Sequence, residues 1–214
     1  RKKEKMTFLK KTLALAIGLS ASVAYAGDKL TAEDLTRIQK VSQVKVSPDG
    51  DSVAFTRTVP RKIYIDENGS NYTELHLVDA KGNERPYITG KVNIKAISWS
   101  EDGNTIYFLS KLNKEKYTSL YQIPVNGGQA QKVLSLKDTS INSYDISPDG
   151  KQVAILAKEA KDKSIKKLAK LGFKAEIFEE GLKDQFLYIV DLKSSDKALK
   201  PKALPINKYV SAVD

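Results

Sequence analysis

Ser47-Pro48-Asp49-Gly50 returns as Ser100-Glu101-Asp102-Gly103 and again as Ser147-Pro148-Asp149-Gly150, each time between two short apolar runs. The residue order is that of a tight corner. Proline presets φ at the second position of a type I turn, aspartate accepts the third, and glycine takes the positive φ that closes a three-residue hairpin. On the approach side stand Val44-Lys45-Val46, Ala96-Ile97-Ser98-Trp99 and Tyr144-Asp145-Ile146. On the exit side stand Ser52-Val53-Ala54-Phe55, Thr105-Ile106-Tyr107-Phe108 and Gln152-Val153-Ala154-Ile155-Leu156. β-Branched and aromatic residues in runs of this length make strands, so a repeated corner means a repeated hairpin.

The corner glycines lie about 50 residues apart, a period that belongs to four-stranded propeller blades. A third run follows each hairpin: Glu74 to Asp79 before Lys81-Gly82, Leu120 to Val125 before Gly127-Gly128, and Phe186 to Leu192 before Lys193-Ser194. Residues 85–89 and 132–136 are long enough for a fourth, outer strand. The expected fold is all-β, a partial propeller of antiparallel blades near residues 41–90, 91–137 and 138–205, with the start of another at 206–214. Ile206 to Asp214 repeats the approach to the corner, with Asp214 standing where Asp145 stands. The chain is therefore expected to be a fragment of a longer protein, since an unclosed ring leaves open sheet edges.

The formal net charge of +10 suggests nucleic acid until its location is considered. Half of it sits in residues 1–26, where Arg1, Lys2, Lys3, Lys5, Lys10 and Lys11 face only Glu4. The remainder is spread over many turns, a weak field and not a phosphate track, so no nucleic-acid partner is expected. Lys10-Lys11 precede an apolar run from Leu13 to Val23, and Ala24 and Ala26 supply the small residues of a signal-peptidase site. Residues 1–26 are expected to be upstream sequence and a leader cleaved after Ala26, with export to a bacterial periplasm or exterior and no membrane span afterwards. Cysteine is absent, so export brings no disulfide framework.

Residues 27–40 read as a helical arm capped by Thr31, with Glu33 and Asp34 in its first turn and Leu35 and Ile38 on one face. Arg61 to Tyr72 is an inserted loop marked by Asp66, Asn68 and Gly69. The longest link runs from Lys158 to Gln185, where Ile165, Leu168, Ala169 and Gly172 fall at helical spacing among lysines. It is expected to hold a helix; the apolar stripe is narrow, which counts against a helix lying on a membrane surface, and a helix on a blade edge has the same pattern.

Little here supports catalysis. His76 is the sole histidine and sits between Leu75 and Leu77 in an alternating strand, which suits a structural role. No nucleophile elbow and no triad can be assembled, and Asp49, Asp102 and Asp149 are isolated in separate turns. No metal or cofactor site is indicated.

Leu30-Thr31-Ala32-Glu33-Asp34-Leu35, the corner at Ser47 to Gly50 with its approach strand, and Trp99-Ser100-Glu101-Asp102-Gly103 together resemble the N-terminal propeller of secreted bacterial serine peptidases of the prolyl oligopeptidase family, in the acylaminoacyl-peptidase and dipeptidyl-peptidase-like branch. Lys170-Leu171-Gly172-Phe173, Phe178-Glu179-Glu180 and Leu187 to Leu192 look like that branch's helix-bearing insertion. The resemblance implies an α/β-hydrolase domain with a Ser-Asp-His triad beyond this sequence, and a propeller that gates and orients peptide substrates for it. Some relatives hold the substrate's free amino terminus with paired glutamates, which invites the comparison with Glu179 and Glu180; a solvated loop pair is the plainer reading. The alternative from another class is a non-enzymatic periplasmic propeller of the Tol-system type that binds protein partners, because the corner motif is shared with it.

Overall fold

The computed structural model describes residues 30–160, 163–173, 185–192 and 202–203. The chain divides into two compact units between Arg37 and Ile38. In the first, the expected arm is a single helical turn, α1 (Ala32–Leu35). Thr31 Oγ1 accepts from the Asp34 N–H at 3.2 Å while the Asp34 carboxylate accepts from the Thr31 N–H at 2.9 Å, a capping box. Ile38 lies beyond the helix, and both Leu35 and Ile38 are exposed, so the anticipated apolar face does not form.

The second unit consists of three four-stranded meanders. The first sheet orders β1 (Lys40–Val46), β2 (Ser52–Val59), β3 (Tyr72–Asp79) and β4 (Glu84–Ile88); the second β5 (Lys95–Trp99), β6 (Thr105–Ser110), β7 (Ser119–Pro124) and β8 (Gln131–Leu134). The third holds β9 (Ile141–Ile146), β10 (Gln152–Lys158), β11 (Gln185–Asp191) and β12 (Lys202–Ala203), with α2 (Lys163–Lys170) between β10 and β11. Every pairing within the sheets is antiparallel, between strands that follow one another in the chain.

The sheets stack face to face, which explains why β6 reads as a continuous apolar run and not as an alternation. Ile106 and Phe108 join Ala54, Leu75 and Leu77 of the first sheet in one core, with Tyr121 stacked on Phe108 at 5.7 Å. Leu109 and Leu120, on the opposite face, join Ile141, Tyr144, Val153 and Ile155 of the third sheet in a second core. The middle sheet is thus buried on both sides. This is the packing of neighbouring propeller blades.

The innermost strands β1, β5 and β9 run side by side in one direction, and each carries a register shift against its neighbour. Bulges of this kind take backbone groups out of the ladder, and at β5 side chains from the sheets on either side meet them, while a further side-chain contact ties β5 to β1. The Ile97 N–H donates to Gln43 Oε1 at 3.2 Å, the Trp99 indole donates to the Lys45 carbonyl at 2.9 Å, and the Tyr144 hydroxyl donates to the carbonyl of Ala96 at 2.7 Å. Ala96 is itself at φ +48°, so the strained residue of the bulge is the one whose carbonyl is clamped. The crossovers between sheets are pinned as well. Thr73 donates to Val92 and accepts from Ile94, while Thr118 accepts from Ile141.

Removing the aromatic wedge between two sheets costs both its transfer energy and a cavity, so Phe108→Ala is expected to destabilise by about 3–5 kcal/mol. Val44→Ala, at an exposed site on the outer face of the first sheet, should change stability by less than about 1 kcal/mol. Urea midpoints of the two variants check the contrast, and equal losses would contradict two-sided burial of the middle sheet.

Candidate functional site

Because β1, β5 and β9 are parallel neighbours, all three Ser-x-Asp-Gly corners fall at one end of the sheets and all three links between second and third strands fall at the other. The two ends differ in chemistry. At the corner end the same small network is built three times. Gly50, Gly103 and Gly150 stand at φ +80°, +67° and +64°, and each donates its N–H to the corner serine's carbonyl at 2.9, 2.9 and 2.8 Å. With that carbonyl occupied, the serine hydroxyl takes its place: it accepts the N–H of Ser52, Thr105 or Gln152 at 2.9 Å in each corner. The same hydroxyl donates to the aspartate of its own corner, from Ser47 to Asp49 and Ser100 to Asp102 at 2.5 Å and from Ser147 to Asp149 at 2.6 Å. A second contact of each Asp is the N–H two residues on, at 3.0 Å in all three, and Asp149 also pairs with Lys151 Nζ at 3.2 Å. The corner is one residue longer than the three-residue closure its composition suggests, since the N–H of Ser47 still pairs with Ser52. The serine hydroxyl first, and then the following N–H, hold Asp49 and Asp102 below the usual carboxylate range and bring Asp149 down to about 2. These motifs are structural devices.

The opposite end carries the inserted chain. Between β2 and β3, the Arg61 guanidinium stacks on the Tyr72 ring at 4.4 Å and donates to the carbonyls of Ser70 and Glu67 at 2.7 and 2.9 Å. Asp66 accepts the Lys62 N–H at 2.9 Å and pairs with Lys91 at 2.8 Å, which closes a small turn whose tip is Ile63-Tyr64-Ile65. Between β6 and β7, the Glu115 carboxylate accepts from Ser119 at 3.1 Å and Tyr121 at 2.9 Å and pairs with Lys132. Burial pushes the Glu115 carboxyl up, but Lys132 and the two hydroxyls outweigh it and leave the group below its ordinary value. Burial first, then Glu115, drives the Tyr121 phenol up.

On the outward face of the first sheet, His76 is buried against Phe55, the rings stacked at 5.4 Å. Its Nε2 lies 3.3 Å from Glu74, and its Nδ1 lies 2.8 Å from Glu84 Oε1 but out of line for a hydrogen bond. Glu84 also takes Arg57 at 2.5 Å, which is the main cause of its lowered pKa, and Glu74 accepts the Gly90 N–H at 2.6 Å. The cluster ties β2, β3 and β4 to the crossover beyond, in keeping with the structural reading of His76. Glu179 and Glu180, proposed to bind a substrate terminus, lie outside the described residues, as do Ala24 and Ala26. Among the described residues no three His, Cys, Asp or Glu side chains converge as metal ligands.

Residues 60–162 match the family described as the dipeptidyl peptidase IV N-terminal region. Over 138 residues, 64% of this chain, the sequence is 25% identical to the uncharacterized peptidase YuxL of Bacillus subtilis, of which the chain spans 20%. In structure, the fold is similar to the acylaminoacyl peptidase of Pyrococcus horikoshii (TM-score 0.56, 13% identity, 81% of this chain and 26% of that one). It is similar also to the β-propeller domain of the Trilobed protease from Pyrococcus furiosus (TM-score 0.50, 15% identity, 79% and 44%). The sheets described above are thus part of a β-propeller, and residues 60–162 of it are similar to the dipeptidyl peptidase IV N-terminal region. The chain spans about a fifth of the length of the curated relative it matches.

A carboxyl held below its unfolded value stabilises the fold at pH above about 4 and loses that contribution as pH falls through the folded value, about 2 for Asp149. Asp149→Asn is therefore expected to lower the urea midpoint at neutral pH and to converge on the unsubstituted protein as the pH approaches 2. A gap that persists unchanged across that range would contradict an ionised corner.

Proposed function

We propose that this chain is the propeller part of an exported serine peptidase of the prolyl oligopeptidase type, in which the propeller screens and orients peptide substrates while an α/β-hydrolase domain of the same polypeptide performs acyl transfer. The single observation that supports it most is the match of residues 60–162 to the N-terminal region of a dipeptidyl peptidase, joined to the similarity with a peptidase five times as long as the matched span. The fold alone would not select this reading, because one propeller hosts many functions.

Within it, the blades supply a rigid wall and the links supply specificity. Two packed cores and clamped inner strands leave the sheets little freedom, while the links between second and third strands differ from one sheet to the next in length and composition. Glu179 and Glu180 fall in the longest of them, between α2 and β11. Two carboxylates side by side would bind a substrate ammonium through charge-assisted hydrogen bonds, which assigns them the peptide's free amino terminus.

The full-length gene product is expected to react with a fluorophosphonate probe at a serine beyond residue 214, and failure to label would overturn the peptidase reading. In that enzyme the double variant Glu179→Gln/Glu180→Gln should lower kcat/KM on free-amine peptides by about tenfold or more and leave N-blocked peptides unchanged. Equal kcat/KM on both classes in enzyme and variant would remove the glutamates from the site while leaving the peptidase assignment intact.

A further inference from the structure

The link between β10 and β11 ends its helix in a way that holds apolar side chains outward. Gly172 stands at φ +94°, its N–H donates to the Ala169 carbonyl at 3.2 Å, and the Phe173 N–H donates to the Leu168 carbonyl at 3.1 Å. This is a Schellman cap, in which the residue after the glycine is drawn back toward the helix residue that accepts its N–H. In a helix packed on a sheet such a pair would be covered. Here Leu168, Leu171 and Phe173 are 49%, 67% and 70% exposed. The helix therefore does not lie with these residues against a blade edge, contrary to what its spacing suggested. Lys167 and Lys170 beside them are exposed too, and the sequence adds Lys163 and Lys166 within the same two turns.

A second apolar tip stands at the same end. Ile63, Tyr64 and Ile65 are all exposed, yet their loop is fixed by the Arg61 stack and by the Asp66–Lys91 pair. Around these tips the links contribute exposed Lys62, Lys111, Lys114 and Lys116 against Glu67 and Glu159, whereas the corner end presents Asp49, Asp51, Asp79, Glu101, Asp102 and Asp149 against Lys81 and Lys151. One end of the sheets is thus net basic with two groups of exposed aliphatic and aromatic side chains, and the other net acidic with Val46 alone of that kind in its corners.

We propose that the link end is an interfacial membrane-binding surface, which seats on a bilayer rich in anionic lipid with Leu168, Leu171, Phe173 and the Ile63-Tyr64-Ile65 tip entering the headgroup boundary. The lysines around these side chains supply the charge complementarity, and their long stems reach lipid phosphates while the apolar tips insert. A bilayer fits better than an acidic protein because the exposed apolar side chains come from two separate links; a protein partner would need a matched pocket for each, and a lipid boundary needs none. The association is peripheral, since no described helix is long and apolar enough to cross a membrane. The proposal does not rest on the peptidase reading. It is tested on this chain with vesicles, whereas that reading is tested by turnover and labelling of the full-length enzyme.

The absence of cysteine makes the test site-specific. Single variants Phe173→Cys, Tyr64→Cys and, at the acidic end, Glu101→Cys are labelled with an environment-sensitive dye and mixed with vesicles of phosphatidylcholine alone or with about 30 mol% phosphatidylglycerol. The labels at positions 173 and 64 are expected to shift to the blue and brighten about threefold or more on the anionic vesicles only, while the label at 101 stays unchanged. The response should vanish in Lys167→Glu/Lys170→Glu and weaken in about 0.5 M salt. No response on any vesicle, an equal response at position 101, or a response indifferent to the charge reversal would each overturn the proposal. A shift produced by polyglutamate but not by vesicles would overturn it in favour of an acidic protein partner.

Discussion

A four-stranded meander with two apolar faces cannot be stable by itself, and the whole arrangement follows from the need to cover both. The middle sheet shows the constraint most clearly. Ile106 and Phe108 enter one core while Leu109 and Leu120 enter the other, so neither neighbour can be removed without exposing a row of large side chains. Stacking then sets the rest: inner strands brought side by side, corners gathered at one end, links at the other.

Stacking alone would leave the sheets free to slide, and the inner strands remove that freedom with polar contacts. The β5 bulge presents backbone groups outside its own ladder, and the sheets on either side supply Gln43 and Tyr144 to meet them, while Trp99 reaches back to the Lys45 carbonyl of β1. Burial raises the Tyr144 phenol well above its ordinary value, which keeps it a donor toward Ala96 under any physiological condition. The corners act locally in the same spirit. A serine hydroxyl does the work of a carbonyl already in use, and an aspartate holds that hydroxyl in place.

Much of this was legible in the sequence because it is written in local chemistry. The Ser-Pro-Asp-Gly corners announce their own turns, and the residues on either side have strand character that the structure bears out in β1, β2, β5, β6, β9 and β10. Glu74 and His76 are two apart on a strand and so share a face, the one local hint of the buried cluster. Arg57 and Glu84 complete that cluster only through the register of β2 with β3 and β3 with β4, which no local pattern encodes. The Arg61 loop and the Glu115 pair escaped for the same reason. The arm before β1 was overestimated: Thr31 does cap a helix, but a good cap starts a helix without extending it, and one turn lacks the apolar packing that sustains longer ones.

Amide hydrogen exchange tests two-sided stacking most directly, because it reads the stability of each strand in the intact chain. Amides of β6 and β7, sealed between two cores, should exchange most slowly and only through global unfolding, while those of β4, an outer strand with three of its five residues exposed, exchange by local opening. Protection in β6 and β7 no greater than in β4 would mean that the middle sheet is not enclosed on both faces, and the propeller packing would be contradicted.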